Sequence, residues 1–163
     1  MKKLSDLPSI AEIERELCVR SLYEFVQIFW NVVDPADLVL DTHVKVICDH
    51  LEAVFSGEML RLAVAIPPAH SKSTICSVLF PAWCCAKDPS FKIAGVSADN
   101  ALAVRDSRRC RMLMESEKYQ QIFPEVKLIP DNNRLTSYVT SKGGYRDALT
   151  VRACRSPEST ITA

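Results

Sequence analysis

The sequence lacks any run of about 20 apolar residues, the length that a helix needs to cross a bilayer. Its first residues, MKKLSDLPSIAE, turn polar at once and lack the apolar centre of a signal peptide. Of the 163 residues, 48% are apolar and 25% are charged, which is typical of one globular domain with its own core and excludes a disordered chain. We therefore expect a cytoplasmic protein without a membrane partner.

The sequence also lacks a CxxC pair, although it contains seven cysteines. An odd number of scattered cysteines argues against both a disulfide framework and a structural zinc site. We expect reduced and mostly buried thiols, with the adjacent Cys84 and Cys85 filling a packed helix. His43 and His50 have no third metal ligand at a suitable spacing, and the GxSxG and HExxH patterns are absent.

The net charge is zero, but the two parts of the chain differ in sign. Residues 1–58 carry five Lys/Arg against eleven Asp/Glu, and residues 59–163 carry fifteen against nine. A basic second part is compatible with contact to a polyanion, and ordinary solvated helix faces explain it equally well.

The first part of the chain has the pattern of helices. Capping-box signatures begin at Ser9 and Ser21, and apolar spacing predicts one broken helix or two consecutive helices over 10–32. A further helix is predicted over 42–55, with Gly57 at its C-terminal cap.

From residue 60 the pattern alternates between strands and helices. The apolar run 60–66 predicts a buried strand, and a helix is expected over 72–86 with a kink or break at Pro81. A second strand over 91–96 and a long helix from about 99 to 115 follow. Crossovers of this length indicate βαβ units and a parallel sheet, which is an α/β fold.

The last part of the chain is less regular. A short helix is predicted over 119–124, a strand over 134–140, and a hairpin turn at 141–144 that leads into a strand over 145–151. Residues 152–163 lose apolar periodicity.

The segment RLAVAIPPAHSKST, residues 61–74, has the order of parts of a phosphate-binding loop. Such a loop needs inward backbone N–H groups, a lysine that reaches the phosphates and a hydroxyl for Mg²⁺, and Lys72 and Ser73 meet the last two needs. The usual GxxxxGK[ST] pattern has glycines where Ile66 and Ser71 stand. An ordinary N-capped helix is the alternative. The missing second glycine matters little if Ser71 adopts backbone angles open to any residue.

Other charged residues have two interpretations each. His70 is either a donor to phosphate or a solvated loop residue. The arginines after the second predicted strand contact nucleic acid or sense a phosphate, or they form a charged outer face paired with Asp106 and Glu115, which pattern alone favours. These arginines are Arg105, Arg108, Arg109 and Arg111.

With these parts in order, the chain resembles the N-terminal ATPase portion of the bacteriophage terminase large subunit, the motor that packages DNA. The segment PPAHSKST resembles the deviant Walker A motif of that family, which reads PPxHxKS with a variable residue before the lysine. The helical lead-in SLYEFVQIFWNVVDP and the later SKGGYRDALTV resemble the flanking segments, so the resemblance covers residues 22–151.

The resemblance implies an incomplete P-loop NTPase of the RecA/ASCE type, with a parallel sheet and a helical N-terminal lead-in. It divides the chain into a helical segment 1–58, a partial ATPase domain 59–151 and a tail 152–163 that is unlike the family. ATP and Mg²⁺ are the implied cofactors, with Ser73 as the Mg²⁺ ligand and Arg105 and Arg109 as possible contacts. The implied nucleotide-binding residues are His70, Ser71, Lys72, Ser73 and Thr74.

The implied partners are double-stranded phage DNA, the small terminase subunit and the portal, in the cytoplasm of a bacterial host. After residue 151 the sequence lacks the Walker B strand with its paired acids, and it lacks the nuclease domain, so we expect ATP binding with little hydrolysis and a truncated or frameshifted product. The alternatives are a non-catalytic interaction module that docks through its helical N-terminal segment, a decayed prophage remnant, or another P-loop NTPase such as a helicase. His43 lies in the region before the loop, and relatives contact the base with residues of that region.

Overall fold

The N-terminal part of the chain forms three helices. The computed structural model describes residues 8–68, 70–129 and 136–151. Helix α1 spans Ile10–Arg20, α2 spans Leu22–Val33 and α3 spans Thr42–Phe55. The capping box at Ser9 is present, and the break predicted within 10–32 falls at Ser21, whose hydroxyl caps α2. The predicted bounds of α3 are confirmed.

A single helical run follows the proline turn, in three parts. They are α4 (Lys72–Thr74), a π-helical stretch (Ile75–Leu79) and α5 (Phe80–Lys87). Pro81 has no N–H and cannot donate to the carbonyl of Ser77 one turn earlier, so the backbone widens just before it. The break predicted at Pro81 is therefore present, as a local change of helix type.

The remaining elements alternate strands with helices. They are β1 (Lys92–Ser97), α6 (Asn100–Glu115), α7 (Glu117–Ile122), β2 (Ser137–Val139) and β3 (Tyr145–Thr150). The side chain of Asp99 caps α6 by accepting the backbone N–H of Ala101. The sequence predicted all five elements to within a few residues.

The strands form a small mixed sheet in the order β1-β3-β2. β1 and β3 run parallel, and β2 pairs antiparallel with β3. The fold is therefore mixed α and β, as expected, but only part of the sheet is parallel.

The strand predicted over 60–66 is not formed. Residues 61–66 pair with no strand of the described chain. Leu62, Val64 and Ile66 pack against the core while the residues between them are exposed. The prediction rested on a short apolar run, and such a run indicates burial without supplying a neighbouring strand to pair with.

One apolar core joins the early helices to the later ones. Four aromatic rings meet at its centre, those of Phe25, Phe29, Tyr119 and Phe123. The indole Nε1 of Trp83 donates to the carbonyl of Cys18 at 2.7 Å. The core therefore extends across the sequence boundary at residue 58, and the tail 152–163 lies outside the described residues.

A half-buried polar contact also ties α1 to the turn after α7. Arg15 Nη1 donates to the carbonyl of Ile122 at 2.8 Å, and its guanidinium pairs with the carboxylate of Glu125. This pairing holds the pKa of Glu125 below its ordinary value. The ion pair thus fixes the first helix to a turn more than a hundred residues later.

The cysteines of the described chain are free thiols. Cys76 is half-buried and the other five are buried. Burial raises the pKa of Cys18, Cys48 and Cys85 to about 12, so these thiols stay protonated and poorly nucleophilic at neutral pH. Within residues 8–68, 70–129 and 136–151, every helix falls short of the length and apolar character needed to span a bilayer.

Gly144 stands where the β2–β3 hairpin contacts the turn before β1. A Cβ at this position would meet the carbonyl oxygens of Pro89 and Phe91, and backbone atoms cannot move aside easily. We expect Gly144→Ala to lower the free energy of unfolding by about 1–3 kcal/mol, measured by urea denaturation. The matched control is Gly95→Ala, where the nearest atom lies 3.6 Å away. Equal stability of the two variants would contradict this packing.

Candidate functional site

The proline turn and the start of the helical run open into a cavity of about 680 Å³. The loop and α4 form one wall, the segment after α2 forms another, and α6 contributes two arginines. The lining residues are Trp30, Asp34, Ala36, Asp37, Val39, Ile66, Pro67, Pro68, His70, Ser71, Lys72, Ser73, Thr74, Arg105 and Arg109. All seven residues that the sequence suggested for this site therefore line one cavity.

Ser71 has an unusual backbone. Its φ is 60° and its ψ is 1°, and within the described residues it is the one non-glycine with positive φ. The left-handed region costs a residue with a Cβ about 1–2 kcal/mol, so glycine is favoured there. The condition under which the missing glycine would matter little is therefore not met. Ser71 thus adopts the backbone angles that a glycine adopts in a phosphate loop. Because serine has a Cβ, it is strained in this conformation.

The start of the helical run has no cap. Ser71 stands at the N-cap position, and no side chain accepts a hydrogen bond from the first backbone N–H groups of α4. Uncapped N–H groups at a helix start carry partial positive charge and bind anions readily. The run continues from Lys72 to Lys87, so its axis is much longer than α4 alone.

Lys72 and Ser73 leave their polar groups available to the cavity. Lys72 is half-buried and forms no ion pair within the described part of the chain. Ser73 is exposed. Thr74 is buried, and its hydroxyl oxygen accepts a long hydrogen bond from Arg109 Nη1 at 3.4 Å. A lysine and a free hydroxyl thus lie together at the uncapped helix start.

His70 supports the proline turn. Its Nδ1 lies 2.8 Å from the carbonyl oxygen of Pro68, and because a carbonyl only accepts, Nδ1 carries the proton. The imidazole of His43 meets the His70 ring edge-on, with ring centroids 5.6 Å apart. His70 therefore has a structural bond within the loop, and its Nε2 stays available. His43 lies beside the loop and is not among the residues that line the cavity.

Arg109 joins α2 to the helical run. Its Nη2 donates to the carbonyl of Val33 at 3.1 Å and pairs with Asp34 Oδ2 at 3.3 Å, while Nη1 reaches Thr74. This residue therefore departs from the charged outer face that the pattern favoured. It fixes one cavity wall to the other.

The other arginines resemble a charged outer face more closely. Arg105 pairs with Asp106 at 2.9 Å, and Arg111 pairs with Glu115 at 3.0 Å, as that interpretation expects. Arg105 also lines the cavity. Its guanidinium is therefore near the site but already has a carboxylate partner.

Sequence reasoning missed the segment after α2. Trp30 Nε1 donates to the carbonyl of Ala36 at 2.7 Å, and the carboxylate of Asp34 accepts the N–H of Ala36, so this segment is held in place. It brings Asp34 and Asp37 to the cavity. The Asp-Pro dipeptide at residue 34 signalled only the end of a helix.

The donors of this cavity fit a polyphosphate better than a bare metal ion. Uncapped N–H groups and a lysine suit phosphate oxygens. Within the described residues no group of three or more His, Cys, Asp or Glu could hold a metal. Mg²⁺ bound to phosphates keeps several waters and needs only one or two protein oxygens, so the Ser73 hydroxyl suffices for that role.

Comparisons of the chain with protein-family models, with curated proteins and with solved structures find no match.

The strain at Ser71 leads to a stability prediction. We expect Ser71→Gly to raise the free energy of unfolding by about 1 kcal/mol, because glycine adopts positive φ without a steric penalty. The control is Ser73→Gly, the same substitution at a helical position, which should lower it by about 0.5–1 kcal/mol. Chemical denaturation of both variants measures the difference. A loss of stability in both would mean that Ser71 is not strained in solution.

Proposed function

We propose that the chain binds ATP with Mg²⁺ in this cavity, as the nucleotide-binding portion of a terminase-type ATPase. The observation that carries the proposal is the combination at the start of the helical run. Among the described residues, a left-handed Ser71, an uncapped helix start and a Lys72 without an ion pair occur together. These are the local features that a phosphate loop requires.

Each loop residue has a role in the proposed site. The N–H groups of Lys72, Ser73 and Thr74 donate to phosphate oxygens, and the ammonium group of Lys72 neutralises phosphate charge. The Ser73 hydroxyl is the Mg²⁺ ligand. His70 and Ser71 shape the loop through the Pro68 contact and the left-handed turn.

The opposite wall supplies the remaining contacts. Arg105 and Arg109 face the phosphate side of the proposed site from α6, with Arg109 holding the cavity walls together. Trp30 and Val39 offer apolar surface suitable for a base or a sugar.

The proposed site binds nucleotide more readily than it hydrolyses it. Hydrolysis needs a carboxylate or amide that orients the attacking water. The carboxylates that line the cavity are those of Asp34, which pairs with Arg109, and Asp37. Neither follows a strand of the sheet, as a Walker B acid does, so turnover is expected to be slow.

The wider role follows from the resemblance. Terminase large subunits act in the bacterial cytoplasm and couple ATP hydrolysis to the movement of double-stranded DNA, together with a small subunit and a portal. We include these partners in the proposal because the motifs in residues 22–151 occur in the order and at the spacing of that family. The basic excess of residues 59–163 is compatible with a polyanionic partner.

A non-catalytic docking module is the second candidate. The observation that favours it is the exposed apolar stripe on α1, formed by Ile10, Ile13 and Leu17 at helical spacing. In that case the N-terminal helices would bind a partner protein and the cavity would have no nucleotide.

The nucleotide proposal is tested by titrating the purified chain with a fluorescent ATP analogue and Mg²⁺. We expect Lys72→Ala to weaken binding by about tenfold or more, because it removes a charge-assisted bond worth about 1.5–3 kcal/mol. Lys142→Ala is the matched control, since Lys142 is exposed in the hairpin turn and is not among the residues lining the cavity. It should bind normally.

Two results would contradict the nucleotide site. One is that the unsubstituted chain does not bind the analogue at all, which leaves the docking module. The other is that Lys72→Ala and Lys142→Ala bind it equally well.

A further inference from the structure

Strand β1 leaves one edge of the sheet open. The order β1-β3-β2 makes β1 an outer strand, and within the described residues its six residues pair only with β3. The carbonyl of Ser97 accepts the N–H of Val151 on the β3 side. Since successive residues of a strand direct their backbone groups to opposite sides, those of Ala94 and Val96 point to the open side.

The open edge has little protection. Natural sheets protect an edge with proline, with charged side chains or with a bulge. The segment KIAGVS has one lysine, at its first position, and its apolar Val96 is 55% exposed. An edge of this kind accepts a further strand.

A groove runs beside the open edge of β1. One cavity of about 430 Å³ is lined by Leu62 and Val64 of the extended segment. A second cavity of about 240 Å³ is lined by residues of β1, including Gly95. Both share Cys76 and Ser77 of the π-helical stretch. We call these two cavities together the edge groove: Leu62 and Val64 line one of them, β1 lines the other, and both share Cys76 and Ser77.

A buried guanidinium reaches the edge groove. Arg146 of β3 is 3% exposed and lines the smaller cavity. Its side chain crosses over Gly95, where a Cβ would lie 3.6 Å from Nη2. Nη2 donates to the carbonyl of Ser77 at 2.6 Å, whereas Nε and Nη1 form no well-aligned hydrogen bond among the described residues and have only the neutral Tyr138 hydroxyl and Cys110 thiol beside the guanidinium.

The charge of Arg146 has no partner of opposite sign in the described part of the chain. Asp106 lines the same cavity but pairs with Arg105. The Tyr138 hydroxyl is bonded to Cys110 Sγ at 3.0 Å, and burial raises the pKa of Tyr138 well above its ordinary value, so it is neutral at pH 7. A buried cation without a counter-ion is strongly unfavourable. The arrangement therefore calls for a carboxylate from elsewhere.

We propose that the edge groove binds an extended strand of a partner polypeptide, which pairs with β1 and brings one Asp or Glu side chain to Arg146. The backbone groups of Ala94 and Val96 supply the pairing, and Leu62 and Val64 accept an apolar side chain of the same strand. Strand binding requires no nucleotide, although Lys72 and Ser73 of the proposed ATP site also line the larger cavity of the edge groove.

The first test selects displayed random eight-residue peptides on the purified chain without nucleotide. We expect enrichment of peptides that alternate apolar residues and contain one Asp or Glu. The affinity of the best peptide for Arg146→Met should be at least about tenfold lower than for the unsubstituted chain. A peptide in which Asn or Gln replaces the acidic residue should lose the same factor of affinity for the unsubstituted chain. The selected peptide should bind His70→Ala normally, since His70 lines the nucleotide cavity and neither cavity of the edge groove.

The second test removes one backbone donor from the open edge. Val96→Pro deletes an N–H that points away from β3, and proline is tolerated at such an edge position. It should abolish peptide binding with little change in unfolding temperature. Val96→Thr is the control, because it keeps the N–H and a similar shape, and it should bind the peptide normally.

The strand proposal is overturned by any of four results. They are no enriched peptide, enrichment without an acidic residue, equal binding by Val96→Pro and Val96→Thr, and association of the chain with itself through β1 that excludes the peptide. Displacement of the peptide by millimolar acetate or inorganic phosphate would also overturn it, since Arg146 would then bind simple anions alone.

Discussion

The hydrogen bond from Arg146 to the carbonyl of Ser77 is the interaction on which the arrangement of this molecule depends. Pro81 cannot donate to that carbonyl, so an oxygen inside a helix is left without its usual partner. Arg146 supplies the missing donor at 2.6 Å from the middle of the sheet. The side chain crosses over Gly95, where an added Cβ would be in ordinary van der Waals contact with it. The helical run that starts at the proline turn is thereby fixed relative to the sheet.

A second arginine performs a similar task at the other end of the cavity. Arg109 connects the C-terminal end of α2 to Thr74, and Asp34 balances its charge. The helical run after the proline turn is consequently held from two directions, by the sheet through Arg146 at Ser77 and by the N-terminal helices through Arg109 at Thr74. A loop that leads into a helical run held in this way can maintain a serine in the left-handed region, because the surrounding contacts repay the local strain.

Local signals predicted the elements of this fold well. Capping residues and apolar spacing identified α1, α2 and α3, and the pattern of strands and helices after residue 90 was also correct. The error at 60–66 has a physical cause, since an apolar run indicates burial and cannot specify a pairing partner. The backbone of Ser71 was equally hidden, because the sequence shows which residue is present and not which angle the fold imposes.

The long-range contacts of the site could not be read from the sequence. Asp34 and Arg109 are 75 positions apart, and Arg146 lies 69 positions from Ser77. The pattern Tyr-Arg-Asp-Ala-Leu-Thr of β3 gives no sign that its arginine is buried.

The ion pair between Arg15 and Glu125 has a consequence for synthesis on the ribosome. Its two residues are separated by 110 positions, so α1 emerges long before its partner exists. At elongation rates of about 5–20 residues per second, that interval is roughly 5–20 s. During this time the face of α1 that later packs against α7 is uncovered, in addition to Ile10, Ile13 and Leu17, which stay exposed in the folded chain. The nascent chain therefore exposes the apolar surface of an amphipathic helix, and a holding chaperone would be most effective if it bound the helix at that stage.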